Sequence, residues 1–555
     1  MKVAELIFNA IKVRDIEYVF CVPGESFLAT MDAFYGSKKP KLISTRHEEG
    51  AGIMADVYAK ATGKTGVCMV TRGPGLTHLS IALHTAKQDS TPLVAFVGQV
   101  SRNFLHREAF QEINVVEFAG PVCKWAVELN NTDLVLELVE MAFHIAESGR
   151  PGPVIISIPE DIDRSESSKY SVLRKADSFS QSITEKGARN VSDMICEAKR
   201  PCIVAGEGVL RSNLTERLVE FTELTSIPVL TAWRRFDAFP NKHNLYLGAL
   251  HISSNSNILA EPLKKADLVI AIGTRMDEFS TLNYSIPKLG QKLIQIDHSA
   301  SESGGKPSGN HLYIAVEAGE ALIKIGKALK NSKYRGPSKA RQKELKEWQK
   351  RFKKLTTPQN WRKNILEKEL DLEGIYYDIT KILDDDVSIA CDAGDFSGWL
   401  VRDYKWNKPH TFFGPTSGAM GYALPAAISA KLARPKFPSI AFAGDGGFAM
   451  TMCELETAVR YKLESLVAIV FNNNCYGTIS RHQNSQFPGR SFGTSMGKIS
   501  FADIAKAMGA RGYFVKSNQE FSVALKSALG GEGPAVIEIS VNNKLLGPWE
   551  NAKIE

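Results

Sequence analysis

Apolar and polar positions follow a repeating rhythm along the chain. Short runs rich in Val, Ile, Leu and Phe alternate with longer stretches whose apolar residues recur every three or four positions. The short runs read as buried strands and the longer ones as crossover helices, which is the pattern of parallel sheets covered on both faces. In the first block, residues 41–100 read strand, helix, strand, glycine turn, helix, strand. PVIISIPEDI at 153–162 closes it, before a Ser- and Lys-rich connector near 164–188. A second α/β block starts at RPCIVAGEGV and runs to about 330, through the strand-like runs DLVIAIGTR and KLIQIDHS. A third holds VSIACDAG, SIAFAGDGGFAM, LVAIVFNNN and AVIEISV, separated by helical spans. The predicted fold class is therefore α/β, with three doubly wound domains of parallel sheet. Their boundaries are 1–170, 185–330 and 361–545, with a basic linker helix at 331–360 and a tail at 546–555. No short-period repeat is visible. Blocks one and three share a strand–glycine turn–helix plan that hints at duplication.

Length fits this division: 555 residues correspond to roughly three to four domains at about 150 residues each. With 44% hydrophobic and 23% charged residues the chain has ordinary globular chemistry. No apolar run reaches the ~18–20 residues of a membrane span, so no membrane association is expected. The N-terminus carries Glu5, Arg14, Asp15 and Glu17 among its apolar residues, an amphipathic helix and not a secretory signal. The eight cysteines are scattered without a CxxC pair and read as buried reduced thiols, which suits a cytoplasmic enzyme. The net charge of +7 is concentrated in residues 324–354, where thirteen Lys or Arg and two Glu give +11 and leave the remainder at −4. A solvated helix explains that stretch, and no nucleic-acid partner is expected.

The most informative segment is AGDGGFAMTMCELETAVRYKLESLVAIVFNNNCYG, 443–477. An apolar strand runs into Gly444-Asp445-Gly446-Gly447 and then a helix, so that backbone N–H groups and a helix start can meet an anion. Asp445 supplies a hard oxygen ligand at one strand end. A second strand delivers Asn472-Asn473 to the same edge, and such a pair suits Mg²⁺ when diphosphate oxygens complete its octahedron.

GDG followed by NN resembles the diphosphate–Mg²⁺ motif of thiamine-diphosphate (ThDP) enzymes. Asn473 is taken as the ligand because NNxxYG then matches, through Tyr476 and Gly477; Asn472 is the other register. The resemblance implies a third metal ligand in the Cys475 carbonyl. RHEEGAGIMADVYAKATGKTGV in block one resembles the RHEQGAxxxAxGYARATGKxGV stretch of acetolactate synthases. It puts Glu48 in the place of the carboxylate that hydrogen-bonds the cofactor's pyrimidine and makes its thiazolium carbon reactive; Glu49 stands where Gln is usual. TRGPGLTH (71–78) resembles TSGPGATN, and AFQE matches a string whose glutamine, here Gln111, faces the reacting centre. TSGAMGYALPAAISAKLA (416–433) resembles GLGTMGFGLPAAIGA. Met420 would be the residue wedged beneath the cofactor, and the Gly418 carbonyl would accept from its amino group. The resemblance further implies a homodimer or homotetramer with each active site at a subunit interface, block one of one subunit meeting block three of another.

Departures bear on the reaction. VPGES places Glu25 where acetolactate synthases carry glycine and pyruvate decarboxylases an aspartate, so Glu25 is a second candidate catalytic carboxylate. The His-His pair of the decarboxylases is absent, and His78, His84 and His106 read as structural. The substrate-facing Arg of RFDDR is lost in Arg275-Met276-Asp277-Glu278-Phe279, and His482 stands near the place of a usual Trp. FAD is left open: the middle block keeps GTR, while GEGVLR lacks the third glycine of a dinucleotide turn. The expected function is ThDP- and Mg²⁺-dependent decarboxylation of a 2-oxo acid followed by carboligation. The alternatives are a 2-oxo acid decarboxylase or other C–C lyase and, more distantly, a non-catalytic ThDP-binding relative.

Overall fold

Parallel strands dominate the computed structural model, which describes residues 1–169, 181–251, 258–299, 311–332, 334, 336–356, 370–541 and 547–548. Most of the anticipated tail and part of the connector fall outside these residues, as do 357–369. The described strands form three six-stranded sheets, all pairs parallel. The expectation of three doubly wound α/β units is met.

In space the first sheet runs Lys41–Ser44, Tyr18–Cys21, Gly66–Thr71, Leu93–Gln99, Pro153–Pro159, Trp125–Glu128. Counted along the chain that order is 2-1-3-4-6-5. The third sheet runs Phe412–Phe413, Ser388–Cys391, Ser439–Gly444, Leu466–Asn472, Ala535–Ser540, Arg511–Val515, which is the same order counted from its own first strand. The middle sheet is wired differently, as 3-2-1-4-5-6, with its reversal point between Pro201–Ala205 and Leu268–Ile272. Its central strands are apolar throughout because helices cover both faces.

The outer two domains share one continuous core, whereas the middle domain has cores of its own. Helix Glu48–Thr62 of the first domain packs on helix Ala423–Ala433 of the third, where alanines permit close approach and Ser429 Oγ donates to the Met54 carbonyl at 2.6 Å. A buried ionic cluster ties all three domains together. Lys60 Nζ donates to Asp56 Oδ2 at 2.7 Å, to the Tyr422 hydroxyl at 3.1 Å and to Asp89. Asp89 also accepts from the Thr416 N–H at 2.9 Å and pairs with Arg235 at 3.2 Å, and Arg235 in turn pairs with Glu207. Burial alone would raise the Asp89 carboxyl, but Lys60 and Arg235 outweigh it and hold the group well below the usual range.

The basic stretch contains helix Lys339–Leu355, capped by Ser338 Oγ. It lies on the middle domain through Leu345, Trp348 and Phe352, with Arg200–Glu344 and Arg351–Glu261 pairs beside them. Of the eight cysteines, six are buried, Cys453 is half-buried and Cys196 exposed, all as free thiols. Among the described residues no helix is long and apolar enough to cross a membrane.

Candidate active site

Strand Ser439–Gly444 pairs with Leu466–Asn472 along its whole length, so their carboxyl ends lie side by side. This brings Asp445 and Asn473 together across 28 positions of sequence: Asp445 Oδ2 accepts the Asn473 N–H at 3.2 Å, and Oδ1 accepts the Gly446 N–H at 2.9 Å. Asn473 Oδ1 accepts the Cys475 N–H at 3.0 Å. Asn472 is turned the other way, donating to Glu538 Oε1 at 2.7 Å and to the Ile499 carbonyl at 3.0 Å. Burial pushes the Asp445 carboxyl up, against the pull of the N–H groups aimed at it.

These residues line a cavity of about 290 Å³, together with Gly444, Gly446, Gly447, Cys475, Tyr476, Gly477, Gly418 and Met420. Two of the glycines are required by close approach. A Cβ on Gly446 would come 2.7 Å from the Tyr476 ring, and one on Gly447 would overlap the Asp392 carboxylate. Helix Asp445–Thr451 starts here, with its first-turn Gly446 N–H donating to Asp445 Oδ1. Gly418 has φ +72°, a turn that L side chains rarely adopt, and leads to the half-buried Met420. The cavity is lined by oxygen-bearing groups and by Phe396, Trp399, Phe471 and Ile479, a mixture that suits a polar anion carrying a heterocycle. The donor set is all oxygen, as a hard divalent cation requires.

Glu48, Gln111 and Glu25 do not line that cavity; they gather at the carboxyl edge of the first sheet. Glu48 opens helix Glu48–Thr62 behind its cap His47, whose Nδ1 accepts the Glu49 N–H at 3.2 Å. The Glu48 carboxylate is largely buried and its Oε2 lies 2.9 Å from His78 Nδ1. The His47 and His78 rings stack at 4.7 Å and 28°. His78 thus touches the Glu48 carboxylate, a contact that the sequence reading did not include. Gln111 has φ +65° and its carbonyl accepts the Gly73 N–H at 2.9 Å, which places it beside the turn after Gly66–Thr71.

Sequence reasoning missed Arg72. It stands in TRGPG where the resembling string has Ser, its side chain is only 7% exposed, and φ is +34°. Arg72 Nη1 donates to Glu25 Oε1 at 3.0 Å, and Nη2 pairs with Glu160. The one local signal was that substitution.

Glu49 reaches the third domain of its own chain. Its Oε1 packs against Gly421, beside Met420, such that a Cβ there would stand 3.2 Å away. Burial, then Asp392 and Glu454, push its carboxyl up to about 7; burial also pushes Asp392 up to about 6.

The middle domain's reversal point is where this topology binds nucleotides. The turns there, Gly206–Gly208 and Gly273, are packed on each other, and the crevice is lined by Arg211, Arg235, Glu207 and Arg275. It encloses about 40 Å³ among the described residues, with the Arg235–Glu207 pair inside it. Arg275 donates to the Gln88 carbonyl at 2.7 Å, so this segment ties the middle domain to the first, while Phe279 packs 4.9 Å from the Trp233 ring of its own domain.

Comparison with known proteins finds three family domains along the chain. Residues 1–118 match the thiamine pyrophosphate enzyme N-terminal TPP binding domain, 188–325 its central domain, and 392–539 its C-terminal TPP binding domain. The chain is 30% identical to the mitochondrial acetolactate synthase catalytic subunit of Aspergillus candidus, over 97% of this chain and 80% of that protein. Identity is also 30% to a probable acetolactate synthase large subunit of Methanococcus aeolicus, over 98% and 92%. The acetolactate synthase of Mycobacterium leprae is 30% identical over 97% and 87%. With the three family domains in sequence and relatives matching along nearly the whole of this chain, the chain belongs to the thiamine pyrophosphate enzyme family.

Proposed function

We propose that this protein catalyses ThDP- and Mg²⁺-dependent decarboxylation of a 2-oxo acid followed by carboligation, as its acetolactate synthase relatives are named for. The observation that carries this reading is the pairing of Asp445 and Asn473 at neighbouring strand ends in the glycine-lined cavity. When bound, thiamine diphosphate supplies a nucleophilic carbon and an electron sink for the departing carboxylate.

The chain's own residues do the rest. Asp445, the Asn473 side chain and the Cys475 carbonyl hold Mg²⁺, while Gly444, Gly446 and Gly447 let backbone N–H groups approach the diphosphate. Tyr476 and Gly477 close that end, Met420 supports the cofactor from beneath, and the Gly418 carbonyl accepts from its amino group. Glu48 holds and exchanges the proton of the pyrimidine nitrogen. Gln111 and Glu25 face the reacting centre. Because Glu48 stands outside its own chain's cavity, the site is completed by a second copy, making a homodimer or homotetramer. A cytoplasmic location is part of the same reading, and no step passes through FAD.

Decarboxylation without carboligation is the second reading, favoured by Glu25, which Arg72 holds on the first sheet's edge. Retention of Glu48, Asp445 and Asn473 together speaks against a non-catalytic relative. The test is incubation of the protein with ThDP, Mg²⁺ and a panel of 2-oxo acids, with products followed by NMR. Acetolactate from pyruvate supports the main reading, and an aldehyde supports the second. Cofactor binding without turnover of any acid overturns both.

A further inference from the structure

Glu48 has two carboxylate oxygens, and the fold treats them differently. Oε2 is engaged by His78 Nδ1 at 2.9 Å. Oε1 lies over Gly75, one helical turn before His78, where a Cβ would stand 3.6 Å from it. A Cβ there would be in ordinary contact with Oε1, and its tighter neighbour is the Val70 side chain at 3.1 Å. Both Gly75 and His78 lie on one face of helix Arg72–Asp89, because residues three apart share a face. A carboxylate that is ionised can only accept, and His78 Nδ1 is then the donor of this contact. The ring is steadied from its other side by the His47 stack, and His47 is itself fixed by the Glu49 N–H.

We propose that His78 is a positioning residue for Glu48: it ties Oε2 and leaves Oε1 as the single oxygen presented to the cofactor's pyrimidine nitrogen. This inference rests on the reading of Glu48 given above. A carboxylate free to rotate divides its time between two oxygens and several rotamers, whereas one oxygen held by a donor pre-organises the other. His78 therefore acts on how fast the cofactor is activated and not on how tightly it binds.

The shapes of amide side chains make the test specific. The Nδ2 of Asn overlays the place of an imidazole Nδ1, while the amide of Gln extends to the place of Nε2. In the full-length protein with ThDP and Mg²⁺, deuterium exchange at the thiazolium carbon is expected to fall at least tenfold in His78→Leu and His78→Gln. His78→Asn should restore it to within about threefold of wild type. Cofactor affinity should stay within threefold in all of them, which also shows that they fold. Before cofactor is added, a protected His78 Nδ1–H resonance is expected by NMR, and Glu48→Ala should abolish it. Wild-type exchange in His78→Leu or His78→Gln overturns the inference, as does a resonance that survives Glu48→Ala. If Glu48→Gln itself exchanges at the wild-type rate, the reading of Glu48 fails instead, whatever the His78 variants do.

Discussion

Asp445 and Asn473 meet because their strands are neighbours in register, the backbone N–H of one residue reaching the carboxylate of the other at 3.2 Å. Removing the carboxylate takes a charged oxygen from the cavity but leaves the strands paired. Asp445→Ala is therefore expected to weaken Mg²⁺-dependent ThDP binding on the order of a hundredfold, about 3 kcal/mol, with the unfolding midpoint nearly unchanged. Isothermal titration with and without Mg²⁺ reads this directly. Binding as tight as wild type would remove Asp445 from the metal site.

Glu48→Gln keeps the size of the side chain but not its ability to exchange a proton. ThDP affinity should remain within a few-fold of wild type, while turnover falls at least on the order of a hundredfold. Equilibrium titration beside steady-state rates checks the split, and an active Glu48→Gln enzyme would sink the proposed role.

If each site joins the first domain of one copy to the third domain of another, two inactive variants can repair each other. Glu48→Gln and Asp445→Ala chains mixed under exchanging conditions would place both defects in one site of a mixed dimer and leave its other site intact. Random pairing in equal amounts then returns about a quarter of wild-type activity. Activity that stays at the level of the separate variants would mean that each chain builds its site alone.

Glu49 gives the fold a pH dependence of definite sign. Its folded-state carboxyl titrates at about 7, above the ordinary glutamate value, so folding favours the protonated form. The native chain binds the extra proton between those two values, and stability therefore falls as pH rises through that window. Glu49→Gln should remove that loss, stabilising the protein at pH 8 relative to wild type by on the order of 1 kcal/mol after allowance for its partial exposure, and having little benefit at pH 4. Paired thermal melts at the two pH values measure it. An equal shift at both would assign the effect to packing.

Lys60 serves two buried aspartates at once. Lys60→Met should cost about 3–5 kcal/mol, because Asp56 and Asp89 would lose their main partner while remaining enclosed. The urea midpoint should drop accordingly. A change below about 1 kcal/mol would mean that Arg235 and water compensate.

The meeting of Asp445 and Asn473 was legible in the sequence because successive strands of a parallel sheet commonly lie side by side. Two strand ends 28 residues apart therefore become neighbours almost by default. The alternation of apolar runs likewise gave three parallel sheets, but not that the middle one is wired differently, since alternation fixes strand direction and not order. His78 was opaque for a different reason. Periodicity shows which residues share its helix face but not which neighbouring helix starts there, and Glu48 is 30 positions away. Glu49 was hidden by longer separations still, as Asp392 and Glu454 lie in another domain, and so was the contact of Lys60 with Tyr422.

The outer sheets repeat one wiring diagram, and in each the third strand ends in a glycine turn that opens a helix. The first residue of that helix is Arg72 in one copy and Asp445 in the other. Equivalent corners of one wiring diagram thus carry opposite signs: a guanidinium that grips Glu25 and Glu160, and a carboxylate that takes the Asn473 N–H. The same architecture holds either charge at that corner, so what each half can bind there is set by one side chain and not by the path of the chain.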